Sequence, residues 1–175
     1  MKLAAPICLT FVLVGGAYFV RTRAKAAAPA EHKFASTDEF VQWLATEAVK
    51  DAGEQNHVKL DYSVESIKNV EQILSTLHNQ YTKDPSTISV KGLGFAYGAY
   101  IGEVIRRTEP GAHWQRDDEM GDQSYPIIWG PNAGHSYPMA WCYRRILNGD
   151  DDNVWVTYRA IKDGLTTRRT ASTPR

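Results

Sequence analysis

Gly94, Gly98 and Gly102 recur every fourth residue inside a run with helical apolar periodicity, where Leu93, Tyr97, Tyr100 (or Ile101) and Val104 fall on one stripe. A glycine inside a helix costs about 1 kcal/mol relative to alanine, so three cost roughly 3 kcal/mol. Close approach of another helix or strand along the bare backbone would offset that cost. In a bilayer the same spacing would drive helix dimerisation. The window between Lys91 and Arg106 is only 14 residues long, however, and a membrane span needs roughly 18 or more. The segment over residues 92–107 is therefore expected to be the buried central helix of a water-soluble core.

The flanking sequence supplies partners for that helix. Ser36 and Glu39 have the spacing of a capping box. Phe40, Val41, Leu44, Ala48 and Val49 then give a helix one apolar face, with Gly53 as a candidate stop. Val58, Leu60 and Tyr62 alternate as in a short strand or an extended link. A second helix is expected from about Ser63 to Tyr81 on the spacing of Val64, Ile67, Val70, Ile73 (or Leu74) and Leu77, ended by Asp84-Pro85. Residues 112–117, 124–130 and 133–137 are short and aromatic-rich, with turn chemistry between them, which suggests a two- or three-stranded antiparallel meander. Pro138 opens a helix over Met139–Leu147, with Asn148-Gly149 as its stop. Val154, Trp155, Tyr158 and Ile161 fit one more helix better than a strand, although Val154, Val156 and Tyr158 also alternate. The polar, basic tail from Thr166 is expected to be disordered.

Leu3–Val20 is a run of 18 residues without a charge. It reads as a transmembrane anchor or as the core of a cleavable signal. Arg21, Arg23 and Lys25 directly after it favour the uncleaved anchor and a cytoplasmic body. A cleaved signal would leave a periplasmic or secreted domain instead. Residues 21–35 suit a basic linker, residues 36–162 a globular domain, and residues 163–175 a tail. The expected fold is thus α+β, with four or five helices packed on a small antiparallel sheet behind a single transmembrane helix.

The formal net charge is zero, yet residues 34–161 carry 11 basic and 18 acidic side chains and both flanks are basic. An acidic body argues against nucleic-acid binding. The membrane, through residues 3–20, and a protein partner are the expected contacts.

No nucleophile elbow, phosphate loop or dinucleotide fingerprint is present. Asp117, Asp118, Glu119 and Asp122 fail the spacing of a calcium loop and read as a solvated acidic turn. The spacings of His113, His135 and Cys142 match no standard zinc pattern, so no metal and no cofactor are expected. Cys142 reads as a small buried hydrophobe, with a thiol nucleophile activated by His135 as the less favoured alternative.

Glu103, with Arg106 at i+3 and Arg107 at i+4, reads first as a surface ion pair. The alternative is a carboxylate at the mouth of a cleft formed with Tyr100, His113 and Trp114. Trp129, Tyr137 and Trp141 would add aromatic walls. Tyr100, Glu103, Arg107, His113, Trp114, Trp129 and Trp141 are accordingly the candidate binding residues.

Three stretches resemble an uncharacterised bacterial domain family: Leu60–Ser66 opening a helix, Gly98–Arg107, and the strand of Trp114. The resemblance spans residues 36–162 and implies a fold more than an activity. The resulting expectation is a membrane-tethered, non-enzymatic binding or protein-interaction module. Its alternative is a small hydrolase or transferase using Glu103 with His113.

Overall fold

The computed structural model describes residues 34–116, 125–129 and 134–171. Their elements run in chain order as α1 (Thr37–Asn56), α2 (Ser66–Lys83), α3 (Val90–Thr108), β1 (His113–Trp114), β2 (Ile127–Trp129), β3 (Gly134–Ser136), α4 (Pro138–Asn148) and α5 (Val154–Ala171). Short 3₁₀ turns at Pro85–Thr87 and Gly149–Asp152 lie before α3 and before α5. The strands form one antiparallel sheet in the order β1-β2-β3. His113 pairs with Ile128 and Trp114 with Ile127; Ile127 pairs in turn with Ser136, Ile128 with His135 and Trp129 with Gly134.

The described residues therefore form an α+β fold of five helices and a three-stranded antiparallel sheet. One part of the expected fold is corrected. No helix among the described residues is long and apolar enough to cross a membrane. Even α3 carries Lys91, Glu103, Arg106 and Arg107. The span expected at residues 3–20 lies outside the described residues, as does the acidic turn at 117–122.

The start of α1 follows from its cap. Ser36 accepts a hydrogen bond from the Glu39 N–H at 3.1 Å, and Glu39 Oε2 accepts from the Ala35 N–H at 2.7 Å. One orphan donor of the first turn is thereby satisfied, and the residue before the cap is tied to the helix. Gly53 does not end the helix, which continues to Asn56 and stops at His57 in the left-handed region, with φ 54°. The residues after it form a link rather than a strand. Asp84 ends α2, and its side chain accepts from the Ser86 N–H at 3.0 Å. In α5 no proline interrupts the ladder, and the helix runs to Ala171, past Thr166 where a polar tail is expected.

α3 is the centre of the fold, packed between α1 and α4, with β2 also against it. Every residue from Ala96 to Ile105 on it is buried. Its glycines explain how. A Cβ on Gly94 would lie 2.9 Å from Tyr143 Cα. One on Gly98 would lie 2.5 Å from the Met139 nitrogen and 2.7 Å from the Pro138 carbonyl carbon. One on Gly102 would fall within the indole of Trp114. The stripe thus seats the backbone of α4 along two turns and a tryptophan ring at the third. α2 completes the helical layer against α4 and α5.

Candidate functional site

The last buried turn of α3 meets β1 at a carboxylate. Glu103 is 1% exposed. Arg106 donates to it twice, Nε to Oε1 and Nη2 to Oε2, each at 2.8 Å. Trp114 donates Nε1–H to Oε1 at 2.9 Å. Arg107 Nε lies 3.8 Å from Oε2, close enough for charge attraction but too far for a hydrogen bond. Burial alone would raise the Glu103 pKa. The hydrogen bonds from Arg106 and Trp114 and the charges of Arg106 and Arg107 outweigh burial, and the carboxyl titrates below its ordinary value.

Gly102 makes this arrangement possible, because any side chain there would occupy the space of the Trp114 ring. Local strand geometry then separates the two candidate partners of Glu103. Side chains alternate along a strand. Trp114 points into the core, whereas His113 is exposed and its Nδ1 sits 3.1 Å from the Gly111 carbonyl oxygen.

A second group lies beside the first. Tyr100 is fully buried, and its hydroxyl accepts from the Tyr62 N–H at 2.8 Å and shares a 2.6 Å hydrogen bond with Ser66 Oγ. Burial pushes its pKa up. The Tyr62 ring packs on the Tyr100 ring at 4.8 Å between centroids. The Arg107 guanidinium covers Tyr62, 3.5 Å from its centroid. Tyr62 takes φ 61°, a left-handed conformation uncommon for a bulky residue.

The structure therefore brings together Tyr100, Glu103, Arg107 and Trp114 of the expected residues around a buried carboxylate. Glu103 forms the expected ion pairs with Arg106 and Arg107, but its carboxylate is buried rather than at the surface or at a cavity mouth, since Arg106 and Trp114 close over it. Trp129 is buried and donates to Ser136 Oγ at 2.9 Å, and Trp141 is buried in α4. Both fill the core. His113 and His135 both pair with Ile128 across the sheet and both are exposed, whereas Cys142 is fully buried, its thiol pushed well above the usual range by burial. A thiolate is the reactive form, so Cys142 is poorly suited to nucleophilic attack and the expected buried hydrophobe describes it better. Among the described residues no group of three metal-ligating side chains converges. A shallow groove of about 350 Å³ is lined by Val49, Gly53, His57, Val58, Lys59 and Leu60, none of them an expected site residue.

Two further polar groups escape the sequence reading. Arg145 is 1% exposed; its Nε donates to Glu71 Oε1 at 2.6 Å and its Nη2 to Asp150 Oδ1 at 2.8 Å. Glu71 Oε2 accepts the first N–H of α5, that of Val154, at 2.8 Å. The sequence does carry a signal for this pair. Glu71 lies at i+4 from Ile67, and Arg145 at i+4 from Trp141, so both charges stand on apolar stripes. The left-handed Tyr62 has no comparable signal, because no glycine or asparagine marks it.

The fold and these constellations define a small α+β domain whose buried charges knit its elements together. It belongs to the Family of unknown function (DUF6278), whose model matches residues 17–128, more than half of the 175-residue chain. The matched stretch takes in α1, α2, α3 and β1, and with them Tyr62, Glu103, Arg107 and Trp114, and ends within β2. No curated protein and no solved structure matches the chain.

Proposed function

We propose that this domain is a non-enzymatic module that binds a protein partner. The observation that supports this reading is the enclosure of Glu103. A general base needs an oxygen within reach of substrate and a pKa near the working pH. Glu103 has three hydrogen bonds onto its two oxygens, is 1% exposed, and titrates below its ordinary value. His113, its partner in the hydrolase or transferase alternative, faces the other side of the sheet from Trp114. The Glu103 carboxylate thus ties α3 to β1.

The test is turnover by the purified chain on activated ester and phosphoester substrates, compared with Glu103→Gln. The expected result is no turnover above buffer in either protein, with the substitution lowering stability. Hydrolysis by the natural chain that disappears in Glu103→Gln would overturn the reading.

A further inference from the structure

We propose that the chain's own segment ahead of Phe34, residues 17–33, docks along α1 and seats Tyr18-Phe19-Val20 on an aromatic platform at the start of that helix. Phe34, Phe40, Trp43 and Tyr125 make the platform. The Phe34 ring packs edge-on against Phe40 at 5.1 Å between centroids and against Trp43 at 5.4 Å. Tyr125 lies 5.2 Å from Phe40 on the same side. All four rings are half-buried, whereas Val41, Leu44 and Ala45 beside them on α1 are buried. Half-covered aromatics gathered in one place, with a polar rim, mark a contact surface.

The rim selects a basic occupant. Glu39, Trp43, Glu47, Lys50 and Glu54 recur at intervals of four and three residues, so they share one face of α1. Its charged members are all exposed, and three carboxylates stand there against one ammonium. Glu39 accepts from the Ala35 N–H, a neutral donor that leaves its charge in place. Asp38 stands apart from this count, because its charge acts on Arg106. The segment ahead of Phe34 has the complementary make-up. Tyr18-Phe19-Val20 is apolar, and residues 21–33 carry Arg21, Arg23, Lys25 and Lys33 against Glu31.

Two observations favour this segment over a separate molecule. Phe34 is the first described residue and is itself part of the platform, so the chain enters the domain at the edge of the surface to be covered. The family match begins at residue 17, so the sequence shared with the family takes in this stretch along with α1. Reach is not limiting. The 13 residues between Val20 and Phe34 extend by up to about 3.3–3.6 Å each. That exceeds the roughly 22 Å of helix between Glu39 and Glu54. A short tether also holds its segment at an effective concentration of about millimolar, so a contact of modest intrinsic affinity is occupied.

The experiment is fluorine NMR of the full-length chain carrying fluorotryptophan, with the Trp43 signal assigned through Trp43→Phe. Phe19→Ser, and separately Arg21→Glu combined with Arg23→Glu, are each expected to shift the Trp43 signal. The signals of Trp114, Trp129 and Trp141, which are buried in the core, are expected to stay in place. In the natural chain the Trp43 signal is expected to be the same at every protein concentration and to be unmoved by vesicles of equal parts phosphatidylcholine and phosphatidylglycerol. The inference is overturned if Trp43 ignores both sets of changes. It is equally overturned if the signal moves with protein concentration, which would make a second copy the occupant, or on adding vesicles, which would make it lipid. The contact lies within one chain and does not depend on the module reading: its failure leaves that reading standing, and turnover lost in Glu103→Gln would leave the contact standing.

Discussion

Replacing Gly98 by alanine tests the packing that organises the whole domain. The new methyl group would sit 2.5 Å from the Met139 nitrogen and 2.7 Å from the Pro138 carbonyl carbon, with Met139 Cα closer still. Ordinary carbon contacts lie at about 3.5–4.0 Å. These neighbours are backbone atoms at the start of α4 and cannot rotate away, so the two helices must separate by on the order of 1 Å. Overpacking of this kind costs roughly 1–3 kcal/mol or more. Against it stands a gain of about 1 kcal/mol from replacing a helical glycine; contacts this short with backbone atoms place the cost at the upper end of that range, which leaves Gly98→Ala destabilised by about 2 kcal/mol. Gly53→Ala in α1 is the internal control, because a Cβ there meets nothing within 4 Å. That substitution is expected to stabilise by up to about 1 kcal/mol. Urea unfolding followed by tryptophan fluorescence should move the two midpoints in opposite directions at unchanged slope. A Gly98→Ala midpoint raised as far as that of Gly53→Ala would refute the reasoning.

Other substitutions probe the buried charges. Glu71→Ala should cost about 3–5 kcal/mol, since it leaves the buried Arg145 guanidinium with only the exposed Asp150 and strips Val154 of its acceptor; loss of less than about 1 kcal/mol in thermal or urea unfolding would contradict this. Gly102→Ala should displace the Trp114 indole and break its bond to Glu103, read as a shift of the indole N–H resonance. For Glu103 the folded-state pKa lies below the unfolded one, so its contribution to stability is present above the unfolded pKa and is lost as pH falls through the folded value. Glu103→Gln should therefore flatten part of the acid limb of a stability-against-pH curve. Cys142, fully buried with a raised thiol pKa, should react with a thiol reagent only after unfolding.

Much of the fold is legible in the sequence, for reasons tied to particular residues. The helices over α1–α4 follow from apolar periodicity and from local stops such as Asp84-Pro85, which act within a few residues. The meander follows from short aromatic runs separated by turn residues. The glycine stripe implies a close neighbour, and the structure identifies it as the start of α4 together with Trp114. The C-terminus of α1 is misplaced because Gly53 tolerates the helix, while His57 ends it in a conformation its side chain does not advertise. The candidate site is less legible. The link between Glu103 and Trp114 crosses 11 residues and depends on strand alternation, which sends His113 the other way. The Arg145–Glu71 pair joins positions 74 residues apart, and only the presence of charges on both apolar stripes hints at it.

The central claim is that the Glu103 carboxylate is a structural tie between α3 and β1, held below its ordinary pKa by Arg106 and Trp114. It is tested most directly by following the Glu103 side-chain carboxyl carbon by NMR as a function of pH. The account predicts a single transition below the ordinary value of 4.5, with the Trp114 indole N–H signal moving in the same step. A transition displaced upward toward neutral pH, as a proton-transferring carboxyl would show, would contradict it.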